Sequence, residues 1–350
     1  MTRKVYAGSV AIGGGAPVTI QSMTNTDTRD REATLSQIKA LAAAGCEIVR
    51  VSVYDDICAH NVRYLADNSP VPLVADIHFN HTLAIRALEN GIAKVRINPG
   101  NIGGEAHVRE LAACLKMHKA PVRIGVNSGS VEKDILAKYG SPTPEALVES
   151  ALGHARLLEN CGFEDIVLSM KASNVPDTVK AARLASQMCG YPLHIGVTEA
   201  GTPGMGTIKS AIGIGALLLD GIGDTLRVSL TGDPVNEVYA ALEILRAVEL
   251  RRDCVNFISC PTCGRTCIPV GEIVEKVRSA VRHIKRPLTV AVMGCVVNGP
   301  GEAKEADIGV AGGRDGGVLF VKNMPPRPVK GDIAAALIDA INEYTGDTHE

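Results

Sequence analysis

The sequence has few aromatic residues and almost no excess of charge of either sign. Lysine and arginine total 36 against 38 aspartate and glutamate residues, which gives a formal net charge of -2, and aromatic residues make up 3% of the chain. A nucleic-acid binder usually carries a basic patch with aromatic side chains, and an anionic membrane attracts a basic protein surface. These absences argue against a nucleic-acid or membrane partner, so any anion site must be local.

Long hydrophobic runs are missing as well. The most apolar run, at residues 216–219, is too short to span a bilayer, and the first residues lack the continuous apolar stretch of a signal peptide. We therefore expect a cytoplasmic protein. In a reducing compartment the ten cysteines are expected to be buried small side chains plus a metal or redox site, rather than disulfides.

Up to about residue 245 the chain repeats one unit: a short run rich in Val and Ile, a polar or glycine-bearing tip, and a segment with helical spacing of apolar residues. Such runs are typical of parallel strands buried on both faces. Eight units in roughly 250 residues predict an α/β fold of the (β/α)8 TIM-barrel type. An open doubly wound sheet alternates similarly, but no GxGxxG follows the first run. The runs cover residues 18–22, 48–53, 73–77, 93–97, 122–126, 166–170, 194–197 and 225–230.

The pattern divides the chain into two predicted domains. Residues 1–250 form the barrel that binds the substrate, with a hairpin at residues 1–16 closing its bottom and a long connection at 127–144 over its active face. From residue 251 the composition changes to a cysteine motif, a helix near 271–283, two apolar strands and a last helix. Residues 251–350 are therefore predicted to be a second, smaller α/β domain.

Basic residues occupy the predicted strands and their tips, where barrel enzymes build active sites. Several cations directed into one cavity imply an anion, and arginine suits bidentate recognition of phosphate. A carboxylate across the barrel is an equally good partner for any single arginine, but the whole set favours phosphate. The residues are Arg50, Arg96, Arg123, Lys171 and Arg227.

Uncharged and acidic polar residues stand at similar strand ends and are candidates for orienting a hydroxylated substrate or moving protons. His78 alone is a weak signal, because single histidines are often structural. The glycine-rich segment 201–206 precedes a predicted helix and is a weak candidate for binding phosphate through backbone amides. The polar strand-end residues are Asp76, His78, Asn98, Asn127, Glu199 and Ser229.

Two cysteine-bearing segments mark the second domain: SCPTCGRTC at 259–267 and GCVVNGPGEA at 294–303. Cys260, Cys263 and Cys295 supply three thiolates, which suit an iron-sulfur cluster, and Glu302 is placed to be the fourth ligand. A zinc site that uses Cys267 stays open on spacing alone. The other cysteines are expected to be packing residues.

At these residues the chain resembles the bacterial 4-hydroxy-3-methylbut-2-enyl diphosphate synthases of the methylerythritol phosphate route to isoprenoids. The resemblance covers nearly the whole chain, and its most specific part is SCPTCGRT together with GCVVNGPGEA. The chain has no room for the inserted domain of larger members and is similar to the short two-domain form. The barrel motifs that match are QSMTNTDT, VRVSV, ADIHFN, VRINPGN, IGVNSGS, SMKAS, TEAG and RVSLTGDP.

The resemblance implies a [4Fe-4S] cluster held by Cys260, Cys263, Cys295 and Glu302. It implies reductive ring opening and dehydroxylation of 2-C-methyl-D-erythritol 2,4-cyclodiphosphate, with electrons from flavodoxin or ferredoxin. Glu199 and Glu302 are the expected catalytic residues. The expected substrate-binding residues are Arg50, Asp76, Arg96, Arg123, Asn127, Lys171, Arg227, Ser229 and Asn298.

The resemblance also implies a head-to-tail homodimer in which the small domain of one subunit closes over the barrel of the other. The sequence alone does not separate this arrangement from closure within one chain. The alternative function is a non-redox phosphate-binding barrel transferase with a structural zinc site.

Overall fold

The computed structural model describes residues 1–78, 80–97, 104–252, 254–296, 303 and 305–346. The chain forms two compact units, Met1–Leu250 and Arg251–Glu350. Among the described residues, no helix combines the length and the apolar character needed to cross a membrane.

The first unit begins with an antiparallel hairpin of β1 (Val5–Ala7) and β2 (Val10–Ile12). Its buried side chains pack against Ile48, Val74 and Val167, which lie near the N-terminal ends of barrel strands. The predicted hairpin at the bottom of the barrel is therefore confirmed.

The barrel consists, within the described residues, of eight parallel strands. Their hydrogen-bonded order is β8-β7-β6-β5-β4-β3-β10-β9, and a parallel bridge between Leu168 and Leu193 joins the two ends. The predicted TIM barrel is confirmed and the open doubly wound sheet is excluded. The strands are β3 (Thr19–Met23), β4 (Ile48–Ser52), β5 (Leu73–Ile77), β6 (Lys94–Ile97), β7 (Val122–Asn127), β8 (Ile166–Lys171), β9 (His194–Ile195) and β10 (Thr225–Leu226).

Helices surround the strands, and several begin where the sequence places a capping side chain. Asp30, Asp55 and Asn174 each accept a backbone hydrogen bond from the first turn of the following helix. The helices are α1 (Arg31–Ala43), α2 (Asp56–Asn68), α3 (His81–Glu89), α4 (Glu105–His118), α5 (Lys133–Tyr139), α6 (Pro144–Asn160), α7 (Val175–Met188), α8 (Pro203–Leu219) and α9 (Val235–Ala247).

Alternation along each strand decides which side chains enter the barrel. In β6, Val95 and Ile97 belong to the core between strands and helices, so Lys94 and Arg96 point into the barrel. Because all eight strands are parallel, their C-terminal ends share one rim. Polar residues from distant parts of the sequence meet there.

In its described residues the second unit is a five-stranded sheet with two helices, α10 (Val270–Ala280) and α11 (Ile333–Thr345), packed into one apolar core with the sheet. The neighbours β11 and β12 are parallel, so their C-terminal ends, which lead into the two cysteine segments, lie at one edge. The strands are β11 (Val255–Ser259), β12 (Leu288–Met293), β13 (Ile308–Gly313), β14 (Gly316–Val321) and β15 (Arg327–Val329).

Candidate anion-binding site and cysteine centre

A cavity of about 230 Å³ opens at the C-terminal rim of the barrel. It brings together eight of the nine predicted substrate-binding residues, and the ninth, Asn298, lies outside the described residues. His78, Ser169 and Thr198 complete the polar lining, and Gly125 also borders the cavity. The eight are Arg50, Asp76, Arg96, Arg123, Asn127, Lys171, Arg227 and Ser229.

Asp76 holds two of the arginines in place. Arg96 Nη1 donates to Asp76 Oδ1 at 3.0 Å, and Arg50 Nε lies 3.8 Å from Asp76 Oδ2. Burial alone would raise the pKa of Asp76, but the Arg50 charge, a hydrogen bond from His78 and the Arg96 charge together hold it well below its usual range. The carboxylate stays ionised and fixes the two guanidinium groups.

Arg227 is held in the same way by Glu237 of α9. Its Nε and Nη2 donate to the two carboxylate oxygens of Glu237, each at 3.1 Å. Ser22 Oγ and the Leu230 amide also donate to this carboxylate. The sequence analysis missed Glu237, although its position four residues before the buried Ala241 places it on the inner face of the helix. Carboxylate pairing of single arginines is thus confirmed for Arg50, Arg96 and Arg227.

Arg123 and Lys171 are the cavity cations that these carboxylates do not neutralise. Arg123 is 2% exposed, and its Nε and Nη1 have no hydrogen-bond partner within the described part of the chain. Burial, and then the neighbouring Arg50 and Arg96, lower the pKa of Arg123; burial, and then Arg123 and Arg227, lower the pKa of Lys171. Five cations thus face two carboxylates, and a bound anion would relieve their repulsion.

Two glycines leave room for these charged groups. A Cβ at Gly125 would lie 2.7 Å from Arg96 Nε, and one at Gly196 would lie 2.8 Å from Lys171 Nζ. Both distances are too short for a side chain, so glycine is required for the present positions of the two cations.

Glu199, the predicted acid/base residue, lies at the rim after β9 and outside the lining of the cavity. Its side chain is exposed, and Ser173 Oγ donates to Glu199 Oε2 at 3.0 Å. Its φ of 52° is in the left-handed region, which costs a non-glycine residue energy. His78 lies within the lining, with its Nε2 3.1 Å from Arg96 Nη1, so the structure favours a role that the sequence indicated only weakly.

The cysteine centre is built on the edge where β11 and β12 end. The Gly294 amide donates to Cys260 Sγ at 3.1 Å, which places Cys295, the next residue, close to the CxxC segment. A Cβ at Gly294 would lie 2.8 Å from Thr266 Cγ2 and 3.3 Å from Cys260 Sγ. Thr266 Oγ1 in turn accepts the Cys263 amide at 3.0 Å. Gly294 therefore allows the two cysteine segments to approach each other.

The donor set suits an iron-sulfur cluster, because three thiols share one edge and one sulfur already accepts an amide hydrogen bond, as iron-bound sulfurs do. Within the described residues, no group of three His, Cys, Asp or Glu side chains has the arrangement of a metal site. Glu302, the predicted fourth ligand, lies outside the described residues. Cys267 is exposed, and its sulfur donates to the Arg265 carbonyl. The six other cysteines, predicted to be packing residues, are buried or half-buried.

A closed parallel barrel with an excess of cations around a cavity at its C-terminal rim defines a (β/α)8 protein of the TIM-barrel class. The chain belongs to the GcpE family. The family model described as the GcpE TIM-barrel domain matches residues 2–242, and the one described as the GcpE protein C-terminal domain matches residues 256–343.

Curated relatives match along the full length of the chain. A protein of Geobacter sulfurreducens named 4-hydroxy-3-methylbut-2-en-1-yl diphosphate synthase (flavodoxin) is 56% identical over 99% of both chains. One of the same name from Caldanaerobacter subterraneus is 57% identical over 94% of this chain and 93% of its own. The solved N-acetylneuraminic acid synthetase of Leptospira borgpetersenii covers 71% of this chain and 90% of its own, with 12% identity and a TM-score of 0.51. That likeness shows the barrel fold alone.

Proposed function

We propose that the chain reduces 2-C-methyl-D-erythritol 2,4-cyclodiphosphate to 4-hydroxy-3-methylbut-2-enyl diphosphate, with ring opening and loss of a hydroxyl group. The observation that carries this proposal is the cavity in which Arg123 and Lys171 lack a neutralising carboxylate among the described residues. A diphosphate supplies the missing negative charge and offers several oxygen acceptors. The names of the full-length relatives support the same product.

The cavity residues would bind the substrate and stabilise the charge that develops on it. Ring opening breaks a carbon-oxygen bond and leaves negative charge on the diphosphate, close to Arg123 and Lys171. Arg96 and Arg227 are already oriented by Asp76 and Glu237, so they need little reorganisation as that charge forms. The departing hydroxyl takes up a proton and leaves as water. Glu199, held by Ser173 at the rim, is the proposed acid/base residue.

We propose that Cys260, Cys263, Cys295 and Glu302 hold a [4Fe-4S] cluster. When bound, such a cluster supplies low-potential electrons one at a time. The chain's own contribution is to fix the ligands, because the Gly294 amide donates to Cys260 Sγ and such hydrogen bonds tune the potential of a cluster. Flavodoxin, which is part of the relatives' printed name, or ferredoxin is the proposed electron donor.

The decisive experiment is anaerobic purification followed by an absorption spectrum and iron and sulfide analysis. We expect a brown protein with about four irons per chain, the count of a [4Fe-4S] cluster. This protein should convert the cyclodiphosphate when reduced flavodoxin is supplied. A colourless, zinc-containing protein would overturn the redox reaction and leave a phosphate-binding transferase.

Gly294→Ala and Gly264→Ala form a matched pair that tests the position of the cluster. A Cβ at Gly294 collides with Thr266 and approaches Cys260 Sγ, whereas one at Gly264 meets nothing within 4 Å. Gly294→Ala should therefore lose most of its iron and its visible absorbance, while Gly264→Ala keeps both. Equal iron content in the two variants would place the cluster elsewhere.

We further propose that the chain acts as a homodimer in the cytoplasm, where its thiols stay reduced. Four large apolar side chains of α8, each more than half exposed, are spaced three, four and seven residues apart: Met205, Ile208, Ile212 and Leu219. This spacing brings them to one side of the helix. Exposed apolar side chains grouped on one side of a helix are typical of a protein interface.

A further inference from the structure

Four fully buried polar side chains lie on strands of the barrel: Gln21, Lys94, His194 and Thr225. Lys94 and Thr225 are 0% exposed, and His194 and Gln21 are 1% exposed. The Lys94 amine, both nitrogens of His194, both amide atoms of Gln21 and the Thr225 hydroxyl have no hydrogen-bond partner within the described residues. Such groups are costly to bury, and their presence calls for an explanation.

The strand register places Lys94 beside the proposed diphosphate site. Val74 pairs with both Arg50 and Lys94, so these two cations lie in one row across β4, β5 and β6. Arg96, which follows two residues after Lys94, pairs with Arg123 on β7. On the other side, Val74 belongs to the apolar cluster of the N-terminal hairpin. Lys94 is therefore enclosed between that cluster and the cavity.

Charged and titratable groups face this region from seven of the eight strands or their ends, β3 excepted, and most of them are cations. Within the described residues the strands contribute one interior carboxylate, Asp76, which already binds Arg50 and Arg96. A second carboxylate, Glu237 of α9, is paired with Arg227. The groups are Arg50 of β4, Asp76 of β5, Arg96 of β6, Arg123 of β7, Lys171 of β8, His194 of β9 and Arg227 after β10. Lys94 thus has no acidic partner of its own in the part of the chain that the structure describes.

These surroundings favour the uncharged form of Lys94 when no anion is bound. Burial, and then Arg123 and Arg50, lower the pKa of Lys94 well below its ordinary value. Burial, and then Arg123 and Lys171, lower the pKa of His194 in the same way. A diphosphate in the cavity would add at least two negative charges beside the same cations. These charges would raise the pKa of Lys94 and favour its protonated form.

We propose that Lys94 is a switchable cation of the substrate site, uncharged while the cavity is empty and protonated when a diphosphate fills it. The proton comes from solvent. The switch matches the charge of the substrate without leaving an unpaired ammonium group buried in the empty barrel. This inference rests on the proposed function of the cavity.

The test is calorimetric titration of the cluster-loaded protein with 2-C-methyl-D-erythritol 2,4-cyclodiphosphate at pH 8, without reductant, in buffers of different ionisation enthalpy. The dependence of the heat on the buffer gives the number of protons taken up per bound ligand. Three proteins are compared: wild type, Lys94→Met and Lys180→Met. Lys180 is an exposed residue of α7 and serves as the control.

We expect Lys94→Met to take up fewer protons than wild type, by up to one per site, and to bind about tenfold more weakly, equivalent to ~1.4 kcal/mol. Lys180→Met should match wild type. Any proton that Lys171 or His194 takes up on binding contributes to the uptake of all three proteins, so the comparison reports the share that depends on Lys94. Lys94→Gln serves as the second variant if Lys94→Met does not fold.

The failures of the two proposals are distinguishable. Tight binding with equal proton uptake in wild type and Lys94→Met would overturn the switch and leave the diphosphate site intact. No binding to any of the three proteins would overturn the diphosphate site and the switch with it.

Discussion

Gly125 of β7 determines where the Arg96 guanidinium lies. The Arg96 side chain passes over Gly125, where β7 has no side chain to obstruct it. Gly125→Ala would place a methyl group 2.7 Å from Arg96 Nε and push the guanidinium away from the cavity or from Asp76. We expect the KM for the cyclodiphosphate to rise about tenfold or more, in line with the loss of a charged hydrogen bond. Steady-state kinetics with reduced flavodoxin would measure this.

Gly153→Ala is the matched control for this prediction. Gly153 lies within α6, and a Cβ there meets nothing within 4 Å, so alanine should be neutral or slightly stabilising. An unchanged KM in Gly125→Ala would mean that the position of Arg96 has no influence on substrate binding.

The cationic residues at the strand ends were selected from the sequence because arginine inside a barrel is rare without a ligand or a partner, and the structure brings them to one cavity. Lys94 was not among the predicted site residues. It lies two residues before Arg96 in β6, so the alternation of side chains along the strand places both of them inside the barrel. Glu237 was missed as well, because one acidic residue on a helix usually faces solvent. Which arginines pair with carboxylates depends on contacts between distant segments, and no local pattern encodes them.

At the level of the elements, the N-terminal hairpin is the part whose role in stability is easiest to isolate. Ile12 is fully buried in the cluster that closes the bottom of the barrel. Ile12→Ala should lower the free energy of unfolding by about 2–4 kcal/mol, through lost burial and the cavity left behind. Urea unfolding followed by circular dichroism would measure this value.

Val10→Ala tests the same hairpin at a half-buried position and should cost about 1 kcal/mol or less. Equal losses in the two variants would show that the packing of Ile12 is not specific. If Ile12→Ala leaves the free energy of unfolding unchanged, the stability of the barrel does not depend on the packing of the N-terminal hairpin.

All eight predicted runs overlap a barrel strand, because strands buried on both faces produce continuous apolar segments that the sequence displays directly. The last two strands are shorter than their runs. At Gly196 a Cβ would lie 2.3 Å from the Arg227 carbonyl oxygen. The backbone segments that follow β9 and β10 therefore approach each other closely at the point where regular strand pairing ends. The short helix α5 within the connection at 127–144 was not predicted. It has only seven residues, and the residue before it, Glu132, makes no capping hydrogen bond with its side chain.

At the scale of the whole molecule, average composition conceals the functional site. The net charge of -2 excludes a generally basic protein, yet five cations and two carboxylates meet around one cavity. The barrel achieves this because eight strands from across more than 200 residues of sequence (Thr19–Leu226) end at one rim. Only a correct strand count and register predict which of the 36 basic residues gather there.

The exposed face of α8 leads to a prediction about assembly. Replacing Ile208 and Ile212 together with glutamate places two charges in the centre of the apolar stripe, where a second copy of the chain would have to desolvate them. We expect the double variant to be monomeric by light scattering at concentrations where wild type is a dimer. Its iron content should be unchanged, because α8 belongs to the barrel unit and the three proposed cysteine ligands of the cluster to the other.

Met188→Glu is the control for this assembly experiment, because Met188 is an exposed apolar residue on α7 rather than on the stripe. It should remain dimeric, which separates an effect of the stripe from a general effect of added charge. If the α8 double variant is still a dimer, the interface lies on another surface. If wild type itself is a monomer at all concentrations, the homodimer proposal fails, while the diphosphate site, which lies within one barrel, is unaffected.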